Sequence, residues 1–120
     1  MKIRDVVEKA LRAAKVPGII RSKVLAYLDS VLLRYGIYDH KELASLAEWE
    51  IWLILIKSIL SPLSRMLREE GYCGATAYLL AGFISLDESI AELIRIWVRG
   101  RCNSGYDPCC SSPRCCNVSV

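Results

Sequence analysis

Glutamine is absent from this 120-residue chain, threonine occurs once, as Thr76, and the only asparagines, Asn103 and Asn117, lie near the C-terminal end. Depletion of thermolabile amides alongside abundant Ile, Leu, Arg, Lys and Glu is the compositional habit of hyperthermophiles. A hyperthermophilic archaeon or one of its viruses is the expected origin. Histidine also occurs once, as His40, so any Ser/His or Cys/His catalytic pair would have to be built around a ring placed directly after a helix N-cap, where a solvated role is expected. Long hydrophobic runs are missing too. The longest charge-free stretch, GYCGATAYLLAGFISL at 71–86, and the apolar run IWLILI at 51–56 fall short of the roughly 18 apolar residues that a membrane span needs. No transmembrane segment is expected. In MKIRDVVEK the acids Asp5 and Glu8 interrupt any apolar block, so the start does not read as a secretory signal. The expected location is intracellular and cytoplasmic, or with a virion.

Motifs that carry chemistry are equally scarce. There is no phosphate-binding glycine loop, no HExxH and no GxSxG. The acids Glu48 and Glu50, Glu69 and Glu70, and Asp87 and Glu88 sit where helix starts and solvated faces account for them, not at the spacing of an acid/base couple. The chain is therefore expected not to be an enzyme, and no cofactor is expected apart from the zinc alternative given below.

What is present is apolar content and helical periodicity. Hydrophobic residues make up 53% of the chain and the mean hydropathy is +0.28, high enough that apolar surface is expected to remain after the monomer folds. A protein partner or a homo-oligomer follows as an expectation. In residues 3–16, Ile3, Val6, Val7, Ala10, Leu11, Ala13 and Ala14 share one helical face, and Pro17 and Gly18 stop the run. A second helix, at 19–35, turns Ile20, Val24, Leu25, Tyr27, Leu28, Val31, Leu32 and Tyr35 inward and is closed by Gly36. Asp39 and Glu42 form a capping box for a third, KELASLAEWEIWLILIKSIL, which is apolar nearly all round in its second half and so should be central. Ser61 and Pro62 predict a kink or a fresh helix running to Glu70. A small-residue helix at 75–84 follows, then Ser85 and Glu88 as a capping box, then a helix at 86–99 with Leu86, Ile90, Leu93, Ile94 and Trp97 inward and Gly100 behind it. The fold class expected is all-α, a compact bundle of five to six helices over residues 1–100. A cysteine-rich irregular tail occupies 101–120.

The cysteines are the most specific chemical signal. One, Cys73, lies in the first hundred residues, and five follow at Cys102, Cys109, Cys110, Cys115 and Cys116. The tail has almost no aliphatic side chains, so burial cannot order it: cross-links or a metal must, or its cysteines are reduced or lipid-modified and nothing does. Cys73 and Cys102 flank a helical hairpin, and a disulfide between them would close it, contributing roughly 3–4 kcal/mol for a loop of about 30 residues. Cys109, Cys110, Cys115 and Cys116 form a CC-x4-CC array that would cross-pair around Ser111, Ser112, Pro113 and Arg114. The alternative for these four is a Zn²⁺ site, against which stands the absence of the C-x2-C knuckle. An iron–sulfur spacing is absent as well.

Charge is segregated along the chain. Residues 1–35 carry eight Lys/Arg against three acids, and 36–90 carry four against eight. Lys2, Arg4, Lys9, Arg12 and Lys15, followed by Arg21, Lys23 and Arg34, could contact nucleic-acid phosphates without reading sequence. The stretch RYGIYDHKELASLAEWEIW opens like a helix-turn-helix, but offers Trp49, Ile51, Trp52 and Leu55 where base-reading helices need Arg, Asn, Gln or Ser. The function expected is a non-enzymatic interaction or assembly subunit stabilised by disulfides. A nucleic-acid-binding regulator and a zinc-binding module are the alternatives.

Overall fold

The computed structural model describes residues 1–103, and they are helical with no strand among them. α1 spans Ile3–Ala13 and buries Ile3, Val6, Val7, Ala10 and Leu11, the i, i+3, i+4 stripe of an amphipathic helix. It ends before Pro17, because Lys15 takes the left-handed conformation with φ of 59°. Two hydrogen bonds then close the turn, from Lys15 N–H to Arg12 O and from Val16 N–H to Leu11 O, each 3.0 Å. This is a Schellman turn with lysine where glycine is usual, and its apolar contact is the buried Val16 against Leu11. Ala13, expected to face inward, is exposed.

α2 spans Gly18–Tyr35 and buries Val24, Leu25, Leu28, Val31 and Leu32. Gly36, at φ of 65°, closes it by donating to Leu32 O, as its place in the sequence implies. α3 is the single turn His40–Ala44, opened by the Asp39–Glu42 capping box. An antiparallel bridge between Lys2 and Asp39 ties the start of the chain to this turn.

The long third helix expected from residue 39 onward is interrupted. Ser45 folds back to donate its hydroxyl to Glu42 O at 2.8 Å, and Ala47 is extended with ψ of 151°. α4 then runs without interruption over 48–69. It is α-helical over Glu48–Ile51, π-helical over Trp52–Leu60 and α-helical again over Ser61–Glu69. The kink expected at Ser61 and Pro62 is thus replaced by a widening upstream of it. Pro62 has no N–H to give the Ser58 carbonyl, and its ring crowds that group. The wider helix relieves the crowding, with Ser61 N–H bonding to Ile56 O. The Ser58 carbonyl accepts the Tyr27 hydroxyl at 2.9 Å, while Ser58 Oγ donates to Leu53 O at 2.9 Å.

This arrangement predicts a coupling. Tyr27→Phe should cost about 1–2 kcal/mol by stripping a half-buried carbonyl of its donor. In a Pro62→Ala background, where residue 62 regains an N–H, the same change should cost less than half as much. A double-mutant cycle on thermal melts checks this, and equal costs in the two backgrounds would refute it.

α5, Ala75–Ile84, and α6, Glu88–Asn103, form the expected antiparallel hairpin. Its turn is capped by Asp87 in place of the Ser85–Glu88 box. Asp87 Oδ1 accepts from the Ser89 hydroxyl at 2.6 Å and from the Ser89 N–H at 2.9 Å, and those two bonds hold its carboxyl below the usual range. Ser85 spends its hydroxyl on Gly82 O. α6 also passes through Gly100, where the sequence predicted its end. A glycine stops a helix only by turning left-handed, which Gly100 does not do, and the next turn carries Cys102 onto the core.

α1 lies along α5, and α4 lies against α2, α5 and α6, so α4 is the central element as its all-round apolarity predicted. Gly82 permits the close approach of α5 to α1, since a Cβ there would sit 3.1 Å from Val6 Cγ1. No helix among the described residues is long and apolar enough to cross a membrane.

Candidate interaction surfaces

The break at 45–47 places Trp49 on the first turn of α4, where the inward position is taken by Ile51. Trp49 therefore points outward and is 69% exposed. Beside it the half-buried Trp52 packs on the core, and Leu53, one turn along, is exposed. A cleft of about 480 Å³ is lined by Glu48, Trp49, Trp52 and Leu93 of α6. A second, of about 310 Å³, shares Glu48 and Leu93 and extends to Leu46, Ser89 and Glu92. Ile96, one turn beyond Leu93, is exposed as well. Carboxylates line this apolar ground at Glu48 and Glu92, with Glu88 one turn before Glu92 on α6. Arg95 lies between two of them, 2.8 Å from Glu88 and 3.7 Å from Glu92. Glu50 is turned away to accept from Ala47 N–H. The sequence pattern placed Trp52 in the all-round apolar half of the expected third helix and Trp49 just ahead of it, within one continuous helix; the break at 45–47 is what turns Trp49 outward.

The basic residues of the first two helices lie on the surface but are largely engaged. Arg4 donates to Asp29 at 3.1 Å and to Glu8 at 3.3 Å, and Arg12 reaches the other Glu8 oxygen at 3.7 Å. Lys23 pairs with Glu70 at 3.1 Å. Arg21 is spent on the Val16 carbonyl at 2.8 Å. Lys2, Lys9, Lys15 and Arg34 complete the set, and Lys9 lines a separate cleft of about 210 Å³ with Met1, Tyr78 and Gly82. Polyanion phosphates approaching this side would compete with Glu8, Asp29 and Glu70 for three of the eight cations that the sequence offers, Arg4, Arg12 and Lys23.

Cys73 immediately precedes α5, and Cys102 sits on the last turn of α6. Both are half-buried, and neither is a free thiol. Cys109, Cys110, Cys115 and Cys116, and with them the cross-paired array and the zinc alternative, lie outside the described residues. Among the described residues no group of three His, Cys, Asp or Glu side chains could hold a metal ion. His40 is a local tie, with Nδ1 3.0 Å from Met1 O. Its neighbour Asp39 is held below the usual carboxylate range by the Lys41 N–H and, less strongly, by the Met1 amine and His40.

No protein-family model, no curated protein and no solved structure matches this chain.

Proposed function

We propose that the protein is a non-enzymatic interaction or assembly subunit that holds a partner protein on the Trp49 surface. The observation that carries this reading is the exposure of Trp49 among glutamates. Tryptophan left in water beside Trp52, Leu53, Leu93 and Ile96 is what the centre of an interface looks like before it is covered, and tryptophan is the residue type most enriched among interface hot spots. The carboxylates of Glu48 and Glu92, with Glu88 one turn before, favour a partner whose apolar anchor is flanked by lysine or arginine.

Two features support an origin in a hyperthermophilic archaeon or its virus. One is the depletion of amides, and the other is the linked set Arg4, Glu8, Arg12 and Asp29, in which each guanidinium shares a carboxylate with the next. In this reading the cysteines are disulfide staples and not a reactive site.

The test is affinity against a partner recovered by crosslinking from the native host and then purified. Trp49→Ser should weaken the complex at least a hundredfold while leaving the thermal melt of the chain within a few degrees of the wild type, since a surface position contributes little to folding. Undiminished affinity in the variant would remove the reading.

A further inference from the structure

The two clefts beside Trp49 have Glu48 and Leu93 in common, so they are contiguous and form one trough walled by α4 and α6. Two features of the trough specify what covers it. The first is backbone chemistry. No strand among the described residues presents an edge, and beyond their first turns the two walls spend their N–H and C=O groups inside their own helices. An extended segment laid here would take its backbone polar groups out of water with no ladder to join, whereas a helix arrives with those groups already bonded within itself. The second feature is charge. Among the described residues no cation pairs with Glu48, which lines both clefts. Glu88 and Glu92 share the single guanidinium of Arg95. Three carboxylates to one cation leave the acids in excess beside exposed apolar side chains.

From these features we infer that the trough takes an amphipathic α-helix of a partner protein, with its apolar stripe seated between α4 and α6 and lysine or arginine on the edge that meets Glu48 and Glu92. The assignment rests on the Trp49 surface being the place where a partner is held, and it adds the form and charge of the segment that docks. Two adjoining clefts call for two apolar anchors one helical turn apart, the i and i+3 or i+4 positions that a helix sets on one face. The walls carry the same spacing. Trp49 and Leu53 are four residues apart on α4, Leu93 and Ile96 are three apart on α6, and Trp49, Leu53 and Ile96 are exposed. That is the spacing at which the side-chain ridge of a further helix packs into the groove left by two others. From Ser89 to Ile96 the wall of α6 runs about 10 Å, so roughly two turns of the incoming helix are engaged.

Fluorescence anisotropy of the full chain with three labelled peptides of about 14 residues tests it, because a free helix of that length is marginal in water and gains structure on docking. The first peptide carries leucines at i, i+3, i+4 and i+7 with lysines beside them. The second holds the same residues in strand alternation, and the third is the first with every lysine changed to glutamate. The first should bind with micromolar affinity and gain helical circular dichroism, and the other two should bind at least tenfold more weakly. Trp49→Ser and Glu48→Lys should each weaken the first peptide at least tenfold, and Glu48→Lys should tighten the third. Leu33→Glu, at an exposed position on α2, should leave these affinities as they are. No saturable binding of the first peptide at several hundred micromolar, equal binding of the strand-patterned or the acidic peptide, or a loss in Leu33→Glu as large as in Trp49→Ser would each overturn the assignment. A native complex that still depended on Trp49 would then keep the partner site and remove only the helix. A native complex indifferent to Trp49→Ser would remove both.

Discussion

Phe83→Ala should lower the stability of the fold by about 3–5 kcal/mol and its melting temperature by about 12–20 °C, at roughly 4 °C per kcal/mol for a domain of this size. Phe83 is the only phenylalanine in the chain and the largest of the fully buried side chains. It sits on α5, which lies between α1 and α6 in the packing. Its neighbour Gly82 already brings α5 against Val6 of α1, so the backbones have little room left to collapse into the space a missing ring would leave. The cost should therefore fall near the top of the range for aromatic truncation, and Phe83→Leu, which leaves a smaller void, should cost less than half as much. Reversible thermal unfolding followed by circular dichroism measures both. A loss below 1 kcal/mol for the alanine variant would mean that the Phe83 ring does not fill the space between α5 and its neighbours α1 and α6.

The parts of this fold that could be read in the sequence are those whose causes are local. α1 declares itself by alternating apolar and charged residues at helical spacing, and α3 by the Asp39–Glu42 box. α2 declares itself by its inward residues and by Gly36, whose left-handed turn needs no tertiary help. The misses have causes that a linear pattern does not hold. Ser61 and Pro62 read as a kink or a fresh helix, and an α-helical segment does begin at Ser61, but the π-helix that leads into it, whose Ser58 carbonyl accepts from the Tyr27 hydroxyl thirty-one residues away, could not be read. Gly100 reads as a stop, but Cys102 keeps the last turn on the core. The candidate surfaces follow the same division. That Lys2, Arg4, Lys9, Arg12 and Lys15 face outward could be read from the helix period, whereas the pairing of Arg4 with Asp29 across twenty-five residues could not. Trp49 became visible as a surface residue only when Ser45 and Ala47 were seen to end one helix and start another.

Reduction under native conditions should lower the melting temperature by about 10–20 °C, the equivalent of the 2–5 kcal/mol typical of a native disulfide in a small domain. Cys73 precedes α5 and Cys102 lies on the last turn of α6, so they guard the open end of a hairpin whose other end is closed by Asp87 and Ser89. Unfolding that hairpin with both sulfurs bonded leaves a chain that is still cross-linked and has fewer conformations to gain. Cys73→Ser and Cys102→Ser should each reproduce the effect of reductant, and reductant should then add little to either variant if the two cysteines share one bond. If each is instead bonded to one of Cys109, Cys110, Cys115 or Cys116, reductant should lower the melting temperature of each single variant further, because the other bond is still there to break. A non-reducing digest resolves the same question directly, as a peptide joining 73 to 102 or as two peptides each joined to the tail. Intact mass should rise by about 2 Da for every bond reduced, and six protons gained would leave no thiolate for zinc in the oxidised protein. Rapid alkylation of Cys73 and Cys102 in the folded, unreduced chain, with no change in melting temperature on adding reductant, would show that the hairpin is held by packing alone.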